Sequence, residues 1–159
     1  MGIKIWTRAV MTVYRKLSRA IDVLESAKNG LLYSGFGSTY PTGMGISDIY
    51  DKLITYNYRK LGLINLKVLA EEGLRRLPIA TREVLIARFI TGDLESYATK
   101  YGICKRTAFK RVDSAIVRLS EKFIELGYNE KKMETEYKKE PLLTQVVKRL
   151  KAYDYSKSS

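Results

Sequence analysis

Four residues within the stretch from Leu77 to Leu119 leave this chain few options. Ala98 stands four positions before Gly102, Ile103 follows, and Ala108 lies six beyond the glycine. Two helices that cross closely need a small side chain at the crossing, and the turn between them needs a residue that tolerates a left-handed backbone. The spacing therefore predicts a helix, a tight turn at Gly102 and a second helix, with Tyr97, Ala98 and Tyr101 facing inward and Ile103 closing the corner. Asp93 is placed to cap the first helix of the pair, and Gly92 to stop the helix before it.

From Lys105 onward the helical period separates two faces. Ala108, Val112, Ala115, Ile116, Leu119 and Phe123 share an apolar stripe, with Phe109 at its edge. Arg106, Thr107, Lys110, Arg111, Ser114 and Arg118 lie opposite. Between Lys105 and Arg118 five basic residues face one acid, Asp113, a local charge of +4. An α-helix fits the major groove of B-form DNA, where Arg and Lys reach guanine edges and Thr or Ser reach bases and phosphates. Arg106, Thr107, Lys110 and Arg111 are expected to meet base edges or nearby phosphates. Lys105, Ser114, Arg118 and Lys122 are expected to set the docking.

The run from Leu77 to Leu119 resembles region four of the sigma factors of bacterial RNA polymerase. Leu77-Pro78, Arg82-Glu83, Gly92, Ala98 and Gly102 match that pattern in order, over about a quarter of the chain. The wider layout is a long helix, a Gly/Ser/Pro break, a second long helix and then this module. It is similar to small phage-encoded transcription regulators of the ArpU or RinA type. The resemblance implies a sigma-like DNA-binding regulator of a phage or prophage, with RNA polymerase as a further partner. Two features depart from the pattern. Cys104 stands where serine usually caps the recognition helix, and no segment resembles the promoter-melting region two, so a stand-alone sigma factor is not expected.

Composition narrows the alternatives. With one cysteine and no histidine there is no internal disulfide, zinc site or imidazole base, and neither a cofactor nor catalysis is expected. The carboxylate pairs Asp48 with Asp51 and Glu71 with Glu72 are the candidates for a magnesium-dependent nuclease, but the first pair suits the opening turn of a helix. A net charge of +12 calls for a polyanionic partner, nucleic acid before membrane. The excess is spread over the chain, as several phosphate contacts around a reading helix require. No apolar run is long enough to span a membrane and no signal peptide is recognisable, so a cytoplasmic, nucleoid-associated protein of a bacterial host is expected.

The flanks read as helices too. Trp6, Val10, Val13, Leu17, Ala20, Leu24, Ala27 and Leu31 repeat at alternating spacings of four and three, a heptad seam within a helix from about Ile3 to Leu32. Either the second long helix or a second copy of the chain covers that seam, the latter giving a homodimer. Arg8, Arg15, Lys16 and Arg19 lie off it and are read as solvated, with contact of some of them to a DNA backbone as the alternative. Residues 33–47, rich in Gly, Ser and Thr, read as a loop or hinge whose aromatics, Tyr33, Phe36 and Tyr40, either anchor it on the helices or meet a partner. Ser47 and Asp48 open a second helix to about Arg76, with Gly62 and Gly73 as weak points. One side of it carries Ile49, Leu53, Tyr56 and Leu63 and another Tyr50, Leu61, Ile64 and Val68, so neighbours are expected on both. Gly127 closes the recognition helix. Residues 129–140 read as a charged helix or linker. After Pro141, Leu142, Leu143, Val146, Val147, Leu150 and Tyr153 form an amphipathic segment that docks on its own domain or on a partner.

The expected protein is all-α. Residues 1–76 form long helices in a hairpin or coiled coil, 77–127 a sigma-region-four-like helix-turn-helix, and 128–159 a charged linker and amphipathic helix. Its expected work is sequence-specific binding of duplex DNA. A small terminase subunit for DNA packaging, or an adaptor that holds RNA polymerase, are the alternatives.

Overall fold

The computed structural model describes residues 2–36 and 45–158, without the side chains of 33–36 and 157–158, and every regular element among them is a helix. Helix α1 runs Gly2–Phe36 and α2 Ile46–Arg75. Helix α3, Ile79–Leu85, continues into a wider π turn over Ile86–Ile90. Then follow α4 (Leu94–Lys100), α5 (Lys105–Glu125), α6 (Glu130–Tyr137) and α7 (Pro141–Ser158). Helix α1 extends through Tyr33–Phe36, where a loop was expected, because nothing in Tyr33-Ser34 forbids one more turn. The rest of that loop, and the anchoring by Tyr33, Phe36 and Tyr40, lie outside the described residues.

Two compact units result, residues 16–67 and residues 1–15 with 68–159. In the first, an ion pair of 2.5 Å between Lys60 Nζ and Glu25 Oε2 joins α2 to α1. Leu17, Leu24, Ile49, Leu63 and Leu66 are buried there. The heptad seam fades in this segment: Ala20 and Leu31 are half-buried and Ala27 exposed. The second side expected for α2 stays largely exposed here, with Tyr50 53% and Leu61 51% exposed and Ile64 half-buried.

The larger unit is built on α5. All six residues of its predicted apolar stripe are buried, and Leu119 and Phe123 are wholly so. Trp6, Val10 and Val13 of α1 are buried as the seam predicts, and Thr7, Ala9 and Met11 join them, so this end of α1 has more than one covered face. Arg8 is not merely solvated: its guanidinium lies 2.5 Å from the Asp113 carboxylate of α5. Beside it the buried Ser120 hydroxyl lies 2.8 Å from both Thr7 Oγ1 and the Ile116 carbonyl, while Thr7 donates to the Ile3 carbonyl. The charged segment after Asn129 is a capped helix, the Asn129 side chain accepting from the Lys132 N–H at 2.8 Å. It buries Met133 and Tyr137, and α7 docks through Leu143, Val146 and Val147, leaving Tyr153 exposed.

Gly73 is not a break but a point of close approach. A Cβ placed there would stand 2.8 Å from Phe123 Cε1 and 2.9 Å from Leu119 Cδ1. Those rings and methyls are fully buried and have nowhere to retreat. Overpacking of this kind costs about 1–3 kcal/mol, against a helix-propensity gain of about 1 kcal/mol for alanine. Gly73→Ala is therefore expected to lower the melting temperature by several degrees. Gly30→Ala, whose Cβ meets nothing within 4 Å, should hold or raise it. Thermal unfolding followed by circular dichroism separates the two.

Candidate nucleic-acid interface

The geometry around α5 starts with the ends of the neighbouring helices. Helix α2 stops at Arg75 with unsatisfied carbonyls, as every helix does. Arg82 serves them: its guanidinium donates to the carbonyls of Leu74 (2.9 Å), Arg75 (3.0 Å) and Leu77 (3.0 Å). Its neighbour Glu83 reaches the other way, accepting from Lys100 Nζ at 2.7 Å and from the Tyr101 hydroxyl. The adjacent pair thus fixes α3 to the end of α2 on one side and to the end of α4 on the other.

Between α3 and α4 the backbone makes two uncommon moves. The π turn closes with the Thr91 N–H donating to the Ile86 carbonyl at 2.8 Å, and Gly92 follows with φ +70°. Asp93 caps α4 as expected, its carboxylate accepting from the Ser96 N–H at 3.0 Å. Hydrogen bonds from Ser96 hold that carboxyl below its ordinary range.

Helix α4, a four-residue turn and α5 then follow the spacing. Ala98 is buried, Gly102 has φ +62°, and the Ile103 N–H returns to the Ala98 carbonyl at 3.0 Å. Ile103 is half-buried. Tyr97 faces inward, but Tyr101 does not: it is 43% exposed, because its hydroxyl is drawn to Glu83 at the surface. Cys104 occupies the N-cap without a side-chain cap bond. Its Sγ instead lies 3.2 Å from the Thr107 hydroxyl, which holds the thiol below its usual range.

The residues expected to meet DNA fall into two groups. Thr107, Lys110, Arg111, Ser114 and Arg118 line one groove of about 350 Å³ between α5 and α3, closed on the far side by Ala80, Thr81 and Val84 and at one end by Tyr97. Lys105 and Arg106 are exposed at the start of α5, outside that lining, and Lys122 is engaged with Glu125 at 3.3 Å. Within the groove Arg111 donates to the Tyr97 hydroxyl at 3.2 Å and its guanidinium lies 5.9 Å from the Tyr101 ring centroid. Arg118 donates to Thr81 Oγ1 at 3.3 Å. Lys110 and Arg106 enter no ion pair among the described residues.

Three contributors were not read from the sequence. Thr81 and the Tyr97 hydroxyl hold the groove's guanidiniums, and Arg8 sits on Asp113, the single acid among the five cations. Arg88 packs over the ring of Phe109, the edge residue of the stripe, at 5.4 Å. No cluster of three or more metal-ligating side chains occurs among the described residues. Glu71 instead accepts from the Tyr14 hydroxyl at 2.8 Å, and Glu72 is held to about 2 by Arg75 and Arg76. No helix of the described residues is long and apolar enough to cross a membrane. Comparison with family models, with curated proteins and with solved structures returns no match for this chain.

Hydrogen bonds from Lys100 and then Tyr101 hold the Glu83 carboxyl below its ordinary range. A carboxylate lowered in the folded state stabilises above its unfolded pKa and stops doing so as pH falls through the folded one. Glu83→Gln should therefore weaken the protein at neutral pH and bring the two proteins closer together on acidification. Arg82→Ala, which takes the guanidinium from the Arg75 and Leu77 carbonyls and leaves that of Leu74 with the Leu77 N–H, should destabilise by about 1–3 kcal/mol. Urea midpoints between pH 7 and 3 test both.

Proposed function

We propose that this chain binds duplex DNA in a sequence-dependent way and regulates transcription, with α5 as the helix that enters the major groove. The observation that carries the reading is the groove along α5: Thr107, Lys110, Arg111, Ser114 and Arg118 are presented together on one exposed side of a helix whose other side is core. Two of its three cations are already held in place, Arg111 by Tyr97 and Arg118 by Thr81. A guanidinium oriented before binding loses less side-chain freedom when it meets a base edge or a phosphate.

Lys110 and Arg111 are assigned to base edges and Arg118 to the backbone. Lys105 and Arg106, exposed at the N-terminal end of α5, suit the phosphates that flank the groove, where the start of a recognition helix approaches DNA. Arg8 supports the reading by offsetting Asp113, which would otherwise repel the phosphates. The sigma-like identity and the phage or prophage setting rest on the resemblance over residues 77–119.

Selection of bound duplexes from a random library at about 0.15 M salt, near-physiological screening, tests the proposal. The wild-type chain is expected to enrich a motif. Lys110→Ala with Arg111→Ala should lose it while keeping its helical content, since a good base contact is worth about 1–3 kcal/mol. Arg118→Ala should weaken binding to all sequences and lower the salt slope by about one. No enriched motif from the wild-type chain would overturn the reading in favour of packaging or polymerase attachment.

A further inference from the structure

Helix α2 carries a second seam that stays largely exposed among the described residues. Ile49, Leu63 and Leu66 are buried on one face. On another face Tyr50, Ile54, Asn57, Leu61 and Ile64 recur at spacings of four and three, and Val68 continues the series in sequence. Ile54 is 65% and Leu61 51% exposed, Tyr50 and Asn57 are exposed, and Ile64 is half-buried. A repeat of 3.5 residues is the period that keeps a narrow stripe facing another helix of the same period. From Tyr50 to Ile64 the stripe runs about 21 Å along the helix.

Charge indicates which helix that is. None of the six positions is charged, in a chain with a net charge of +12. Two copies of so basic a protein repel one another, and they meet with least repulsion along a strip that adds no charge of its own. Lys60, which flanks the strip, is already paired with Glu25 at 2.5 Å. Asn57, in the middle of the aliphatic positions, selects the direction. In a parallel pair each layer joins identical positions, so Asn57 meets Asn57 and the two amides bond to each other. In an antiparallel pair the layers mix, and Asn57 would face Leu61 with its amide unsatisfied.

We propose that a second copy of this chain packs on the outward face of α2 as a parallel, in-register pair centred on Asn57. The dimer forms without DNA and presents two copies of α5, as a two-fold symmetric operator would require. The inference does not rest on the DNA-binding reading, because its test contains no DNA.

The test is the solution mass of the full chain by sedimentation equilibrium at up to about 100 µM, a range that detects dimers with dissociation constants in the micromolar range. Wild type is expected to show a monomer–dimer equilibrium, and Ile54→Glu with Leu61→Glu to be monomeric with unchanged helical circular dichroism. Ile54→Ser with Leu61→Ser gives the same readout should the charged variant fail to fold. Asn57→Cys in a Cys104→Ser background should form a disulfide-linked dimer on mild oxidation. A monomeric wild type, or a dimer that survives the double substitutions, overturns the interface. A dimer that the Asn57→Cys substitution does not cross-link overturns the parallel register.

Discussion

The burial of one face of α5 is the constraint on which the larger unit depends. Ala108, Val112, Ala115, Ile116, Leu119 and Phe123 have to be covered, and the cover comes from sequence-distant places: the first turns of α1, the last turns of α2, and α3 and α4. Gly73 lets α2 come in against Phe123 and Leu119 at a distance no other residue would allow. Because that side is filled, the opposite side is held open, and a row of cations stays at the surface. Core and cation-lined groove are two faces of one helix, fixed by the same period.

A helix that keeps a row of cations at the surface also has to be held in place. Arg82 and Glu83 do this from the middle of α3, with no atom in the groove. The guanidinium satisfies the end of α2 and the carboxylate holds the end of α4, so the turn at Gly102 starts from a defined place. Surface ion pairs alone contribute little to stability. Here the arginine also bonds three main-chain carbonyls at the point where the helix stops, and the Leu74 carbonyl shares it with the Leu77 N–H.

Much of this was legible because it is periodic or local. The apolar stripe of α5, the left-handed turns at Gly92, Gly102 and Gly127, and the Asp93 cap each follow from residues within a turn or two of one another. What escaped the sequence has a common physical character, namely partners far apart in the chain. Tyr101 has the composition of a core residue, yet a carboxylate 18 positions earlier draws it outward. Gly73 has the composition of a helix breaker, and only the position of Phe123 reveals what it is for. Arg8 on Asp113 spans 105 residues. The second side of α2 was visible as a stripe, but a stripe alone does not say whether its cover is internal.

The pairing of Thr7 and Arg8 with Ser120 and Asp113 bears on the order of assembly. These contacts close loops of more than 100 residues, the kind that slow folding because chain entropy is lost before the contact is gained. During synthesis the first helix leaves the ribosome with Trp6, Val10 and Val13 uncovered and stays so until α5 has emerged. Cutting the chain at Leu77 would accordingly not release a self-sufficient helix-turn-helix. It would separate α5 from half of what covers it.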